Sequence, residues 1–182
     1  LGMISNPVNI EKLTYHAPEI LDKIVIYHGI NNDNYYKKGN DFFEQALDII
    51  AQKYPDRIEI ETTRSVPYAT YINLYHRAHI LLDMVYSFDQ GYHALEAMAQ
   101  GKVVFTGAEK EFYDYYNLTE KVNINACPDV TYLVDQLSWL IENPSEIVAI
   151  SQRARAFVER EHNYINAARD YLKIWSDSSK NN

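Results

Sequence analysis

The sequence predicts an α/β chain: a doubly wound, Rossmann-like parallel sheet of about five to six strands, flanked by helices and closed by C-terminal helices. Three observations carry this. Short β-branched or apolar runs alternate with segments of helical period, in the order β-α-β-α-β-α-β-α-β. The run His79–Met84 is apolar almost throughout, as in a strand buried on both faces. The connections are short and rich in Gly, Pro, Asn and Asp.

The elements follow in order. Residues 1–22 have no clear period. With Asn6-Pro7 and Ala17-Pro18 they read as an extended connector, as at the start of a piece cut from a longer polypeptide, and Leu1-Gly2 reads as a cloning remnant. Lys23–His28 is the first strand and Gly29–Asn34 a turn-rich loop. A helix opens at Gly39 or Asn40 and runs to about Lys53, with Phe43, Ala46, Leu47 and Ile50 on one face. Arg57–Glu61 alternates polar and apolar residues, which suits a strand near the sheet edge, and Thr62–Ser65 reads as loop. A helix led by Pro67 runs to about Ala78. The central strand follows, then a helix over His93–Ala99 that Gly101 terminates.

Lys102–Thr106 is the fourth strand, Ala108–Tyr116 a short helix and Val122–Asn125 the fifth strand. Asp129 caps a helix that buries Leu133, Leu137, Leu140 and Ile141. Ser145 is expected to cap the next, with Ile147, Ile150, Ala154 and Phe157 inward. A last helix over about Tyr164–Trp175 carries Ala167, Ala168, Tyr171 and Trp175, and residues from 176 form a polar tail. One domain is therefore expected over residues 23–176.

Composition narrows the function classes. A net charge of −8 over 182 residues leaves no basic excess for a general nucleic-acid binder. The single cysteine, Cys127, excludes an internal disulfide and a cysteine-cluster metal site. No apolar run approaches the roughly 20 residues of a membrane span, and no signal peptide is visible. The sixteen tyrosines read as amphipathic packing at core edges.

In a sheet of this kind, ligands bind outside the carboxyl ends of the strands, where strand order reverses. The loops there are Gly29–Lys38, Thr62–Val66, Val85–Gly91 and Gly107–Glu109. Ala78–Gly107 stands out among them. Glu96 lies in the first turns of a helix otherwise built of small and apolar residues, near an N-terminus whose free N–H groups favour anions. Gly91, just before that helix, permits close approach of a ligand to the backbone. This is the local anatomy of a nucleotide-diphosphate site. The plainer readings are a carboxylate favoured by the helix dipole, a solvated Lys37-Lys38 pair, and His28 as a satisfied polar residue at a strand end. No cluster of converging oxygens suggests a metal.

The motif L-E-A-M-A-Q-G-K-V-V, with Gly91 five positions before Glu96, resembles the donor-binding motif of retaining glycosyltransferases of the two-Rossmann-domain (GT-B) type, group 1, family 4. His28-Gly29 after the first strand, Lys38-Gly39 before the first helix, and Val66-Pro67-Tyr68 leading to Leu74-Tyr75-His76-Arg77-Ala78 are similar to pieces of that family in the same order. The resemblance implies the C-terminal, nucleotide-sugar-binding half of such an enzyme, with residues 1–22 as interdomain connector and the N-terminal acceptor domain upstream. It implies that Glu96 bonds the ribose hydroxyls and that the N–H groups of Gly91, Tyr92 and His93 hold the diphosphate of UDP or GDP. Lys38 would offset its charge, with Arg64 as a second cation, and Gly29 and Val66 would lie against the nucleotide.

The resemblance further implies a hexosyltransferase of polysaccharide biosynthesis that needs no cofactor and no metal. The full-length enzyme would be cytoplasmic and peripheral at the inner face of the membrane, and the isolated half inactive. The sequence departs from the family at Phe88, where a first glutamate is usual; Asp89 is the neighbouring substitute. A sugar-nucleotide epimerase half shares the architecture. A non-catalytic, receiver-like module would instead use Asp83, at the end of the central strand, as phosphoacceptor.

Overall fold

A computed structural model describes residues 4–179, apart from the side chains at 68–71, 73 and 177–179. The expected remnant Leu1-Gly2 and the end of the tail, 180–182, lie outside the described residues. Five parallel strands form one sheet: β1 (Ile24–Ile30), β2 (Ile58–Arg64), β3 (Ile80–Leu82), β4 (Val103–Thr106) and β5 (Ile124–Asn125). Their order is β2-β1-β3-β4-β5, so the chain first winds outward to β2 and then returns past β1. The reversal falls between β1 and β3, whose register pairs Ile26 with Ile80 and His28 with Leu82. β2 occupies an edge, as its alternating residues predict.

Among the described residues eight helices accompany the sheet: α1 (Tyr35–Lys38), α2 (Asn40–Lys53), α3 (Tyr68–Arg77), α4 (Tyr92–Ala99), α5 (Lys110–Tyr116), α6 (Val130–Glu142), α7 (Pro144–Glu161) and α8 (Tyr164–Ser179). The period of two along the strands sorts the core into two layers. Ile24, Ile26, Ile80, Leu82, Val103 and Phe105 pack with Phe43 and Ile50 of α2 and Leu133 and Leu137 of α6. Tyr27, Leu81 and Val104 face the other way, against Leu95 and Met98 of α4 and Phe112 and Phe157 of α5 and α7. Both faces are buried, which is why the central strands read as unbroken apolar runs.

Several boundaries differ from those read in the sequence. β1 continues through Gly29 and Ile30, and β2 through Thr62, Thr63 and Arg64, because the two strands pair residue by residue up to Ile30 and Arg64. Backbone pairing overrides the polar side chains there. The supposed loop after β1 holds a 3-10 turn at Asn32–Asn34 and then α1. Lys38 thus closes a short helix rather than opening the long one, and Gly39 separates the two at φ 69°. Ser145 does not cap α7, which begins at Pro144 with Asn143 in the capping position. Asp129 does cap α6: its Oδ1 accepts from the Tyr132 N–H at 3.1 Å. α8 runs beyond Trp175 to Ser179, so the first residues of the supposed tail are helical, and Tyr171 and Trp175 are exposed.

The opening segment is extended but not loose. Val8 bridges Asn163, with its N–H donating to the His162 carbonyl at 2.7 Å, and Ile10–Lys12 forms a 3-10 turn. Arg155 of α7 donates from Nη1 to the carbonyls of Leu13 (2.7 Å) and Ala99 (2.9 Å), tying this segment to the C-terminal end of α4. Gly101 makes the closest approach. Its φ is 93°, and a Cβ there would sit 2.2 Å from the His16 carbonyl oxygen.

Gly101→Ala therefore combines a forbidden backbone conformation with a backbone clash. It is expected to cost at least about 1–3 kcal/mol, read as a lower urea midpoint, whereas Gly91→Ala, whose Cβ meets nothing within 4 Å, leaves the midpoint nearly unchanged.

Candidate nucleotide site

The carboxyl ends of β1 and β2, one face of α4 and one side of α3 line a crevice of about 770 Å³. Its position beside the β1–β3 reversal is where doubly wound sheets take ligands. Gly29 and Ile30 come from β1, Thr63 from β2, Ser65 and Val66 from the loop after it, Ile72 and Tyr75 from α3, His93 and Glu96 from α4, and Gln100 from the position just after that helix. The loop is held tightly: Ser65 has φ 45°, its N–H donates to the Ile30 carbonyl at 2.8 Å, and its hydroxyl accepts from the Asn32 N–H at 3.2 Å. A non-glycine residue in that region is strained, and such residues gather at ligand sites.

Glu96 is exposed on the crevice wall, and its carboxylate has no hydrogen-bond or ionic partner among the described residues. Gly91 precedes the helix with no side-chain cap on its N–H groups, and the space a Cβ would take is open. The protein's own packing thus gives no steric reason for glycine at this place. Gly107 differs: a Cβ there would lie 2.0 Å from the Ser87 carbonyl oxygen, so glycine is required for close chain approach.

The sequence-predicted residues divide into two groups. Glu96, His93, Gly29 and Val66 converge on the crevice. Lys38, Arg64, Asp89, Gly91 and Tyr92 are not among the residues lining it. Arg64 is paired with Glu44 and lies over the Tyr35 ring, 5.7 Å from its centroid, outside the crevice. Asp89 and Phe88 are exposed on the β3–α4 connection and Tyr92 is exposed at the first position of α4, with Phe88 80% exposed. His28 lies within β1 and is only half satisfied: it is fully buried, its Nε2 meets Asn40 Oδ1 at 2.8 Å, its Nδ1 has no hydrogen-bond partner among the described residues, and burial pushes its pKa down.

Lys38 is held at the carboxylate of Asp83, its Nζ 2.9 Å from Oδ1. His93 Nδ1 approaches the same oxygen at 3.2 Å, and the Thr106 hydroxyl donates to Oδ2 at 3.4 Å. Asp83 is buried at the end of β3. Burial pushes its carboxyl pKa up, but the His93 hydrogen bond and the charges of Lys38 and His93 outweigh that and hold it below the ordinary value. This four-residue cluster was not read from the sequence as a unit. The signal was a charged residue ending an apolar strand. Its burial and engagement leave no accessible phosphoacceptor, which removes the basis of the receiver-like alternative. Among the described residues no three His, Cys, Asp or Glu side chains group to hold a metal, and no helix is long and apolar enough to cross a membrane.

The family model described as glycosyl transferase-like matches residues 35–173, and the chain belongs to that family. Solved structures agree in fold. S. aureus TarM, in complex with fondaparinux, α-GlcNAc-glycerol and UDP, superposes with a TM-score of 0.71 at 14% identity over 94% of this chain and 38% of that one. Anabaena HepE in complex with UDP-glucose gives 0.66 at 14% over 96% and 57%. The C-terminal domain of the group 1 glycosyltransferase LpcC from Francisella tularensis gives 0.60 at 17% over 86% of this chain and 98% of that domain. This chain thus spans 38% of the length of TarM and 57% of that of HepE, and nearly all of the LpcC domain. A search of curated protein sequences finds no match.

Asp83→Asn is expected to lower stability by about 1–3 kcal/mol at neutral pH, because Lys38 and His93 lose their shared anion. A carboxylate whose pKa is depressed by folding stabilises fully above the unfolded value and loses that contribution as pH falls through the folded one. The gap between wild type and Asp83→Asn in urea denaturation should therefore be widest at neutral pH and close below about pH 4.

Proposed function

We propose that the chain is the nucleotide-sugar-binding half of a glycosyltransferase, moving a hexose-type sugar from a nucleoside diphosphate onto a glycan or lipid-linked acceptor. The observation that carries this is the unpartnered Glu96 carboxylate beside the uncapped start of α4, in a crevice at the β1–β3 reversal. A carboxylate accepts from two adjacent hydroxyls, as on a ribose, while free N–H groups at a helix start receive the diphosphate. Gly91 puts no side chain at the start of that helix, and the space a Cβ would take there is open. Val66 and Ile30 supply apolar surface for the base. Family membership and the UDP and UDP-glucose complexes of TarM and HepE support the donor class.

The acceptor would be bound by an N-terminal domain of the same polypeptide, which accords with the greater length of TarM and HepE, of which this chain covers 38% and 57%. That enzyme would work in polysaccharide synthesis on the cytoplasmic side of a membrane, as a peripheral protein, with no metal. This half alone would bind donor without transferring sugar.

Titration calorimetry with UDP and GDP should give a dissociation constant between about 1 μM and 1 mM for one of them. Glu96→Gln should weaken that binding by roughly 10- to 100-fold, the worth of a hydrogen bond to a charged group. A folded sample that gives no heat with either nucleotide contradicts the assignment.

A further inference from the structure

The nucleotide crevice lies on the β1–β2 side of the sheet. A second recess, of about 530 Å³, lies beside β5, the opposite edge strand. Small-molecule sites have volumes of about 300–1,000 Å³. Tyr113 of α5, Tyr132 and Gln136 of α6, and Asn123 and Asn125 of the β5 segment line this recess.

Asn123 is the anomaly. It is fully buried, and neither its Oδ1 nor its Nδ2 has a hydrogen-bond partner among the described residues. Its sequence neighbours Val122 and Ile124 are buried and apolar. A buried carboxamide left unpaired destabilises a fold, whereas an apolar side chain of similar size does not. Packing alone therefore gives no reason for asparagine at this position. The other lining groups share its chemistry. Asn125 Oδ1 accepts from the Ala108 N–H at 2.9 Å, which fixes that side chain and leaves its Nδ2 without a partner among the described residues. The hydroxyls of Tyr113 and Tyr132 make no hydrogen bond to a described residue. Burial raises the pKa of both phenols, so each keeps its proton at neutral pH and can donate as well as accept.

The charged lining residues are two lysines and two glutamates, which balance. Lys110 is paired with Asp114, and Glu120 lies 3.5 Å from Arg153. Lys121 Nζ donates to Gln136 Oε1 at 3.0 Å and sits 4.2 Å from the Trp139 ring centroid. Glu109 is exposed at the start of α5. A balanced and mostly engaged set of charges does not select an ion. It leaves recognition to the amides and phenols.

We propose that this recess binds a neutral sugar ring, with the Asn123 carboxamide bonding a pair of ring hydroxyls and Tyr113 and Tyr132 flanking the ring. A carboxamide sets an acceptor beside donors, and adjacent hydroxyls do the same. Tyrosine offers an apolar face to the C–H side of a sugar and a hydroxyl to its rim. Asn123 exposes no area to water, so a sugar hydroxyl reaches it as a partly buried lining tyrosine turns aside. Side chains with exposed surface change rotamer within about nanoseconds. The site is separate from the nucleotide crevice and does not rest on the donor-binding reading.

The test is an NMR titration of the nitrogen-labelled 182-residue chain with the methyl glycosides of glucose, mannose, galactose and N-acetylglucosamine. The side-chain amide signals of Asn123 and Asn125 should shift and saturate at millimolar concentrations of at least one of them. Asn123→Leu should lose about tenfold or more in affinity, with a urea midpoint equal to or above that of wild type. Tyr132→Phe, which keeps the ring, should lose about three- to tenfold. UDP and GDP should leave these amide signals in place and shift signals of α4 instead, so a failure here leaves the donor assignment standing. No shift of either amide with any glycoside overturns the proposal, as does a shift with uridine or adenosine and none with a glycoside. A folded Asn123→Leu that binds as wild type does overturns it too, and a lowered midpoint assigns Asn123 to the fold instead. If Asn123→Leu does not fold, the wild-type titration and Tyr132→Phe decide.

Discussion

A carboxylate buried at the end of a central strand cannot remain charged without partners, and Asp83 obtains them from three separate elements. Lys38 comes from α1, His93 from α4 and Thr106 from β4. The sheet brings these elements to one end because all five strands run parallel, so every β-to-α connection leaves from the same edge. The carboxylate also decides where positive charge goes. It holds the lysine outside the crevice and the histidine at its wall. The N-terminal half of α4 is thereby fixed in direction, and Glu96, one turn further along, stands clear of the protein with its carboxylate uncommitted.

Around that arrangement the rest of the chain acts as support. Gly39 allows α1 to stop against the loop after β3: a Cβ there would meet Val85 Cβ at 2.7 Å, and the Val85 N–H donates to the Lys38 carbonyl at 2.8 Å. At the other end of α4, Arg155 and the Gly101–His16 contact lock the helix to the opening segment and to α7. The site thus sits on a helix fixed at both ends, and the strain at Ser65 is confined to the loop that faces it. Pre-organisation of this kind lowers the ordering cost of binding.

The fold was legible because its central strands are buried on both faces and bounded by turn residues, and because α2, α6 and α7 carry apolar residues at helical spacing. What escaped is equally physical. Thr62, Thr63 and Arg64 do not look like strand, yet the neighbouring strand supplies their hydrogen bonds. α1 is four residues between an Asn-rich turn and a glycine, too short to show a period. Glu96 and Gly91 were recognisable because they are close in sequence. The Asp83 cluster was not, since its members at 38, 83, 93 and 106 meet only after the sheet assembles, and the sequence placed Lys38 at the diphosphate instead. Tyr171 and Trp175 recur at helical spacing on α8, and the described protein leaves both exposed.

The central claim is that a carboxylate and the amides of one helix start together hold a nucleoside diphosphate. A crystal structure of this chain with UDP or GDP bound tests it most directly. The account predicts the ribose hydroxyls within hydrogen-bond distance of the Glu96 carboxylate and the diphosphate over the first N–H groups of α4. A nucleotide bound elsewhere on the sheet, with Glu96 still facing solvent, would contradict it.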